Sequence, residues 1–175
     1  DTHVFESERT WEYLPQSERE FKPIAVTADG DAVQKRMWLV GDQLLPRRGA
    51  DTGLLRNSME EVGEGARDLS DVPLRLRWMD QLGVDTQVVF PTFFLLSSIK
   101  RPEVELALAR CYNRWMADVS AESQGRLRWI VVPSVKNIEA SLAELEFGKR
   151  HGAVGVLLRP LEQERPLCDP YFDPL

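Results

Sequence analysis

Three observations predict an α/β fold built on a parallel sheet. From residue 70 onward, short apolar, β-branched runs alternate with longer segments whose apolar positions recur at helical spacing. Gly83, Gly125 and Gly152 stand where those segments end, supplying left-handed stops. No Gly-x-Gly-x-x-Gly or phosphate-loop pattern follows any of the strands. Strand, helix and strand in repetition require right-handed crossovers that return the chain to one sheet. An open doubly wound sheet and part of an eight-stranded (β/α)8 barrel of the TIM type both satisfy this order. The missing glycine-rich turns remove the main nucleotide-binding reason for the open sheet, and the barrel gains.

The elements follow in order. Asp1-Thr2-His3-Val4-Phe5-Glu6 opens the chain; as a strand it alternates its side chains, so Asp1 and His3 project from one side. Such a pair can hold one face of a divalent metal, and Glu6 offers a further oxygen ligand or a partner that orients His3. Residues 15 to 66 carry turn formers and charges with little periodicity and read as a variable insertion. Within it, Pro23–Thr27 and Met37–Val40 flank Asp29-Gly30-Asp31 as two strands of a hairpin.

Ser70 or Asp71 caps a helix entered through Pro73, with Leu74, Trp78, Met79 and Leu82 along its apolar face. Asp85 to Pro91 is continuously apolar and β-branched after its start, which suits a strand covered on both faces. A helix begins at Pro102, and Val104, Ala107, Leu108, Cys111, Trp115 and Val119 keep its apolar stripe unbroken. Leu127 to Val132, Ile138 to Arg150 and Ala153 to Leu158 complete a strand, a helix and a strand. Trp78, Trp115 and Trp129 are expected in the core.

Composition narrows the partners. With 175 residues, 43% hydrophobic and 29% charged, the chain is long enough to bury one core, so residues 1–175 read as a single domain. A net charge of -6 with no basic run among aromatics argues against nucleic acid. No apolar stretch approaches the roughly 20 residues of a membrane helix, and the start lacks the order of a signal peptide, so no membrane is expected and the cytoplasm is the default compartment. Cys111 on a helix face and Cys168 in a proline-rich tail form no framework and read as free thiols.

Several side chains are candidates by position. Arg159 follows the last strand directly, where a barrel places substrate contacts; it clamps a carboxylate there or pairs with Glu162 or Glu164. Thr92, Phe93 and Phe94 follow the strand ending at Pro91; Thr92 and Phe94 are candidate substrate contacts, with the alternative that both phenylalanines are core. Asn113 interrupts an apolar helix face and is expected to hold a loop or a neighbouring backbone. His151 stands at a helix end, on the rim opposite a barrel active site, and is not expected to bind metal.

The segments Asp1-Thr2-His3-Val4-Phe5-Glu6, Ala66-Arg67-Asp68, Arg75 to Thr92, Tyr112-Asn113-Arg114-Trp115, Gly125-Arg126-Leu127 and Gly152 to Val156, in this order and spacing, resemble the amidohydrolase-related metal-dependent hydrolases. That group includes aminocarboxymuconate-semialdehyde decarboxylase and its relatives. The resemblance implies a (β/α)8 barrel holding one divalent metal, usually zinc and sometimes manganese, with Asp1 and His3 matching the first ligand pair. The further ligands it implies, a histidine after a middle strand and a late aspartate, have no counterpart in this sequence, nor does a general acid or base.

The resemblance therefore covers the N-terminal half of such a barrel, and the sequence is expected to belong to a longer protein. The activity implied is hydrolysis or non-oxidative decarboxylation of a small carboxylated substrate, with homo-oligomers common in such barrels. A rival reading is a catalytically inactive truncated paralogue that serves as a binding or assembly partner. An open flavodoxin-like sheet survives on topology alone.

Overall fold

The structure, a computed structural model, describes residues 2–28, 35–47, 62–96, 98–162 and 164–175. Asp1 and the turn Asp29-Gly30-Asp31 lie outside the described residues. Four strands, β1 (Thr2–Val4), β5 (Gln87–Pro91), β6 (Leu127–Val131) and β7 (Ala153–Val156), form one parallel sheet in the order β1-β5-β6-β7. A second, antiparallel sheet joins β2 (Ile24–Ala28), β3 (Lys35–Val40) and β4 (Gln43–Pro46). The hairpin expected from the sequence is the β2–β3 pair; β4 was not foreseen. A small ribbon pairs β8 (Leu161–Glu162) with β9 (Arg165–Pro166) near the end.

The helices are α1 (Glu64–Arg67), α2 (Val72–Gln81), α3 (Phe93–Leu96), α4 (Pro102–Glu122) and α5 (Ile138–Arg150), with 3-10 turns at Thr10–Tyr13, Gln16–Phe21 and Pro170–Phe172. Asp71 caps α2 by accepting the N–H of Leu74 at 2.8 Å, and Pro102 starts α4 at a position where no N–H is needed. Asn137 caps α5 through the N–H of Ala140. Gly83, Gly125 and Gly152 all take positive φ, as their placement after helices requires.

Strand order decides between the two architectures. Each new strand of the parallel sheet is laid beside the previous one, with no reversal of direction across the sheet. A doubly wound sheet needs such a reversal; this winding is the barrel's, and it puts every crossover helix on one face. Register confirms the sidedness: Thr2, Val89, Trp129 and Ala153 form one row across the sheet. Arg75 of α2 reaches Thr2 and Gln87, and Gly148 of α5 lies against Val131, Ala153 and Trp129, all on that side. No closed barrel is formed among the described residues.

The core fills the space between this face and the helices. Val89, Trp129, Leu127, Leu108, Met116 and Tyr112 are fully buried there. A ring cluster of Trp11, Trp38, Phe93 and Phe94 joins the antiparallel sheet to it, with centroids 5.0 to 6.4 Å apart. The other face carries His3, Val88, Phe90, Arg128 and Ile130, and only Ile130 is buried. β5 is thus covered on one face among the described residues, not on both.

Two core expectations on α2 are corrected. Leu82 is 66% exposed beyond the helix end, and Trp78 is half-buried; the inward position is taken by Arg75, 7% exposed. Its guanidinium satisfies three neighbours at once, the Gln87 amide oxygen at 2.8 Å, the Ala66 carbonyl at 3.0 Å and the Thr2 hydroxyl. A guanidinium can be buried when each of its three nitrogens finds an acceptor, as here.

Candidate functional site

Parallel strands bring their C-terminal ends to one rim, and the segments leaving them converge there. Glu6 follows β1 by two residues, Thr92 and Phe94 follow β5, Val132 to Val135 follow β6, and Leu157 to Arg159 follow β7. The first two meet directly. Glu6 turns inward and accepts the N–H of Thr92 at 3.1 Å on Oε1 and the N–H of Phe93 at 2.9 Å on Oε2.

The carboxyl of Glu6 is 5% exposed, with no cationic side chain beside it among the described residues. Burial pushes its pKa up to about 8, against the downward pull of the backbone N–H groups of Phe93 and Thr92. Glu6 is therefore largely protonated at neutral pH. Burial, with Glu6 adding to it, also raises the phenol of Tyr112 well above its ordinary value. The Tyr112 hydroxyl, the Thr92 hydroxyl and the Trp11 indole N–H are all buried with no partner among the described residues.

His3 has a different setting. It stands on the open face of the sheet, exposed, opposite Phe90 with ring centroids 6.0 Å apart. Glu6 commits both oxygens to backbone N–H groups, so it anchors the β1 exit to the start of α3. The described residues contain no group of three His, Cys, Asp or Glu side chains able to hold a metal. Of the side chains on the open face named above, His3 is the one that can ligate a metal, and one imidazole does not fix a divalent ion. The described donors by themselves do not make a metal centre.

The ends of β5, β6 and β7 enclose a narrow cleft of about 30 Å³, walled by Phe94, Ile99, Val132 and Leu157 and carrying Glu105, Arg159 and Glu162. Phe94 and Arg159 thus share one site. Arg159 is held by Glu162, which accepts from its Nε at 3.0 Å, its Nη2 at 2.6 Å and its backbone N–H at 2.9 Å. This pairing raises the Arg159 pKa and uses much of its fork. Glu105 sits beside the ammonium of Lys136 at 3.2 Å, and burial still pushes its carboxyl up. Lys136 also donates to the carbonyls of Ile99 and Lys100.

The remaining candidates are structural. Asn113 donates to the Val132 carbonyl and accepts the Val132 N–H, both at 3.0 Å, and so holds the end of β6. His151 is exposed after α5, its Nδ1 2.7 Å from the Phe147 carbonyl, on the rim opposite the strand ends. Cys111 is buried, its Sγ 3.0 Å from the Thr10 carbonyl and its thiol pushed up to about 12 by burial; Cys168 is exposed, and both are free. No described helix is long and apolar enough to cross a membrane.

Sequence reasoning missed Glu105 and Lys136, and it named Glu162 only as an alternative partner of Arg159, the pairing the structure shows. Glu105 is the fourth residue of an amphipathic helix, Lys136 lies in a loop and Glu162 in a two-residue strand, positions where charge is ordinarily solvated. Only the placement of three strand ends together reveals them.

No family model and no curated relative matches the chain. Among solved structures, that of an amidohydrolase from Mycobacterium avium subsp. paratuberculosis K-10 resembles it with a TM-score of 0.66 at 20% identity. The match covers 99% of this chain and 53% of that one, so the chain spans about half the length of that protein. The likeness shows the fold.

Proposed function

We propose that the chain forms part of an amidohydrolase-type barrel enzyme, a metal-dependent hydrolase or non-oxidative decarboxylase of small carboxylated substrates. The observation that carries this reading is the unreversed parallel order β1-β5-β6-β7, which turns the exits of all four strands to one rim beside the open face that bears His3. The fold likeness to an amidohydrolase supports it. Asp1 and His3 would supply part of the metal's ligands, with other donors from outside the described residues, and the bound metal would lower the pKa of a water or polarise a substrate oxygen.

The chain's own residues prepare the rim. Glu6 pins the β1 exit to Thr92 and Phe93, so His3 and the β5 exit keep a fixed relation. Phe94 and Leu157 give the inner cleft an apolar wall, and Arg159 is oriented by Glu162. Metal analysis of the purified full-length gene product tests the reading: close to one equivalent of zinc or manganese, lost on His3→Ala, is the expected result.

A second reading has its own observation. The open sheet face and the uncharged edge of β7, with Val154 54% exposed, suit a chain that serves as a binding or assembly partner without catalysis. A metal-free protein insensitive to His3→Ala would favour it.

A further inference from the structure

Outside the inner cleft, and sharing Val135 and Glu162 with it as walls, lies a larger cleft of about 320 Å³. It falls at the lower end of the roughly 300–1,000 Å³ of small-molecule sites. Three parts of the chain build it: Lys100 and Pro102 at the start of α4, Lys136 after β6, and Arg165, Tyr171 and Phe172 from the C-terminal segment.

The chemistry of the walls is two-sided. Lys100, Lys136 and Arg165 bring three cations to one opening in a chain whose net charge is -6. Lys136 is paired with Glu105 at 3.2 Å, and Arg165 with Asp169 at 3.5 Å. The Lys100 ammonium is exposed and has no ion pair among the described residues. The carboxylate Glu162, which also lines the cleft, is committed to Arg159. An acidic group entering the cleft would therefore find Lys100 without an ion pair among the described residues and Arg165 held by Asp169 at 3.5 Å.

Part of the lining is aromatic and apolar. Tyr171 and Phe172 stand edge to face with centroids 5.0 Å apart, and Pro102 adds to them. The Tyr171 hydroxyl donates to the Val135 carbonyl at 3.0 Å, which fixes the ring, and the Arg165 guanidinium lies 4.8 Å from its centroid. A fixed aromatic surface beside cations recognises a planar body with an acidic substituent.

We propose that this outer cleft binds a small aromatic or unsaturated organic anion, its acidic group on Lys100 and Arg165 and its planar body against Tyr171, Phe172 and Pro102. A carboxylate and a phosphate monoester share this chemistry. The site stands on the cleft's own walls and needs neither His3 nor a metal.

The test is titration of the whole chain, in the presence of a chelator, with benzoate, phenyl phosphate, inorganic phosphate and benzyl alcohol, followed by amide and aromatic NMR shifts. Saturable shifts at Val135, Lys100 and Tyr171 are expected with benzoate or phenyl phosphate, and whichever binds more tightly identifies the acidic group. Benzyl alcohol should leave them unmoved. Lys100→Glu with Arg165→Glu should weaken binding at least about tenfold, while Tyr171→Leu should weaken the phenyl anions and spare inorganic phosphate. Absence of saturable shifts from both phenyl anions overturns the proposal, as does unchanged affinity in the charge-reversed protein. Because chelated protein is used, this outcome is separate from the metal content on which the preceding reading turns.

Discussion

Glu6 carries the sharpest consequence of a single residue. Its carboxyl is neutral in the fold up to about pH 8 and ionises near the ordinary 4.5 once unfolded. Between those values the native state holds more protons, so the contribution of this group is fully present below about pH 4.5 and is lost as pH rises toward 8. The loss attributable to this group is a few kcal/mol. Denaturant midpoints measured across that range should decline in the wild type and decline less in Glu6→Gln, which cannot ionise. An equal slope in both proteins would remove the buried-acid account. From sequence, Glu6 read as a ligand or as a partner of His3, because alternation along a strand says nothing about a residue two positions past its end. The buried Arg75 was hidden for the opposite reason: helical spacing nominates apolar positions, and a guanidinium is admitted only once Gln87, Ala66 and Thr2 are known to surround it.

Elements are where the sequence spoke most clearly. The 3 and 4 residue steps from Val104 to Val119 forecast α4, and the glycine stops bounded α2 and α5, since these signals are local and depend on no distant partner. Close helix–strand approach was not legible. A Cβ at Gly148 would stand 2.2 Å from a Val131 methyl and 3.2 Å from the Ala153 Cβ, so α5 lies on β6 and β7 only because that position is bare. Gly148→Ala should destabilise the fold by about 1–3 kcal/mol through overpacking, against the small gain in helix propensity. Asn113 makes a second test. Asn113→Ala leaves the Val132 N–H and carbonyl buried without their partner, at a cost of about 1–3 kcal/mol per group. Asn113→Asp keeps an acceptor but removes the donor and faces the Glu144 carboxylate, to which the amide now donates at 3.0 Å, so it should rescue little; chemical denaturation reads all three.

At the scale of the molecule, the parallel sheet has helices on one face and an open face with Phe90, Val88 and Arg128 on the other. Parallel sheets are ordinarily covered on both sides, and β7 has neither charge nor proline to guard its edge. The chain in isolation should associate with rising concentration in sedimentation velocity, and Val154→Lys with Val156→Lys should reduce that association without loss of helical signal. Alternation announced parallel crossovers but fitted two winding orders, and only the observed strand order separates them; the open face was not legible either, because sequence pattern cannot say what will lie across from a strand. One offset in the strand ladder matters more than its size suggests. Trp129 opposes Ala153 but Ile130 opposes Gly155, leaving Val154 surplus on β7. A surplus residue exchanges the inside and outside of everything downstream. With the extra residue, Gly155 and not Val154 faces Ile130, and Leu157, its N–H bonded to the Val131 carbonyl at 2.8 Å, leads Arg159 into the cleft it shares with Phe94. Adding one further residue after Val156 should undo that phase, carrying the guanidinium away from Phe94 while the strand itself stays paired.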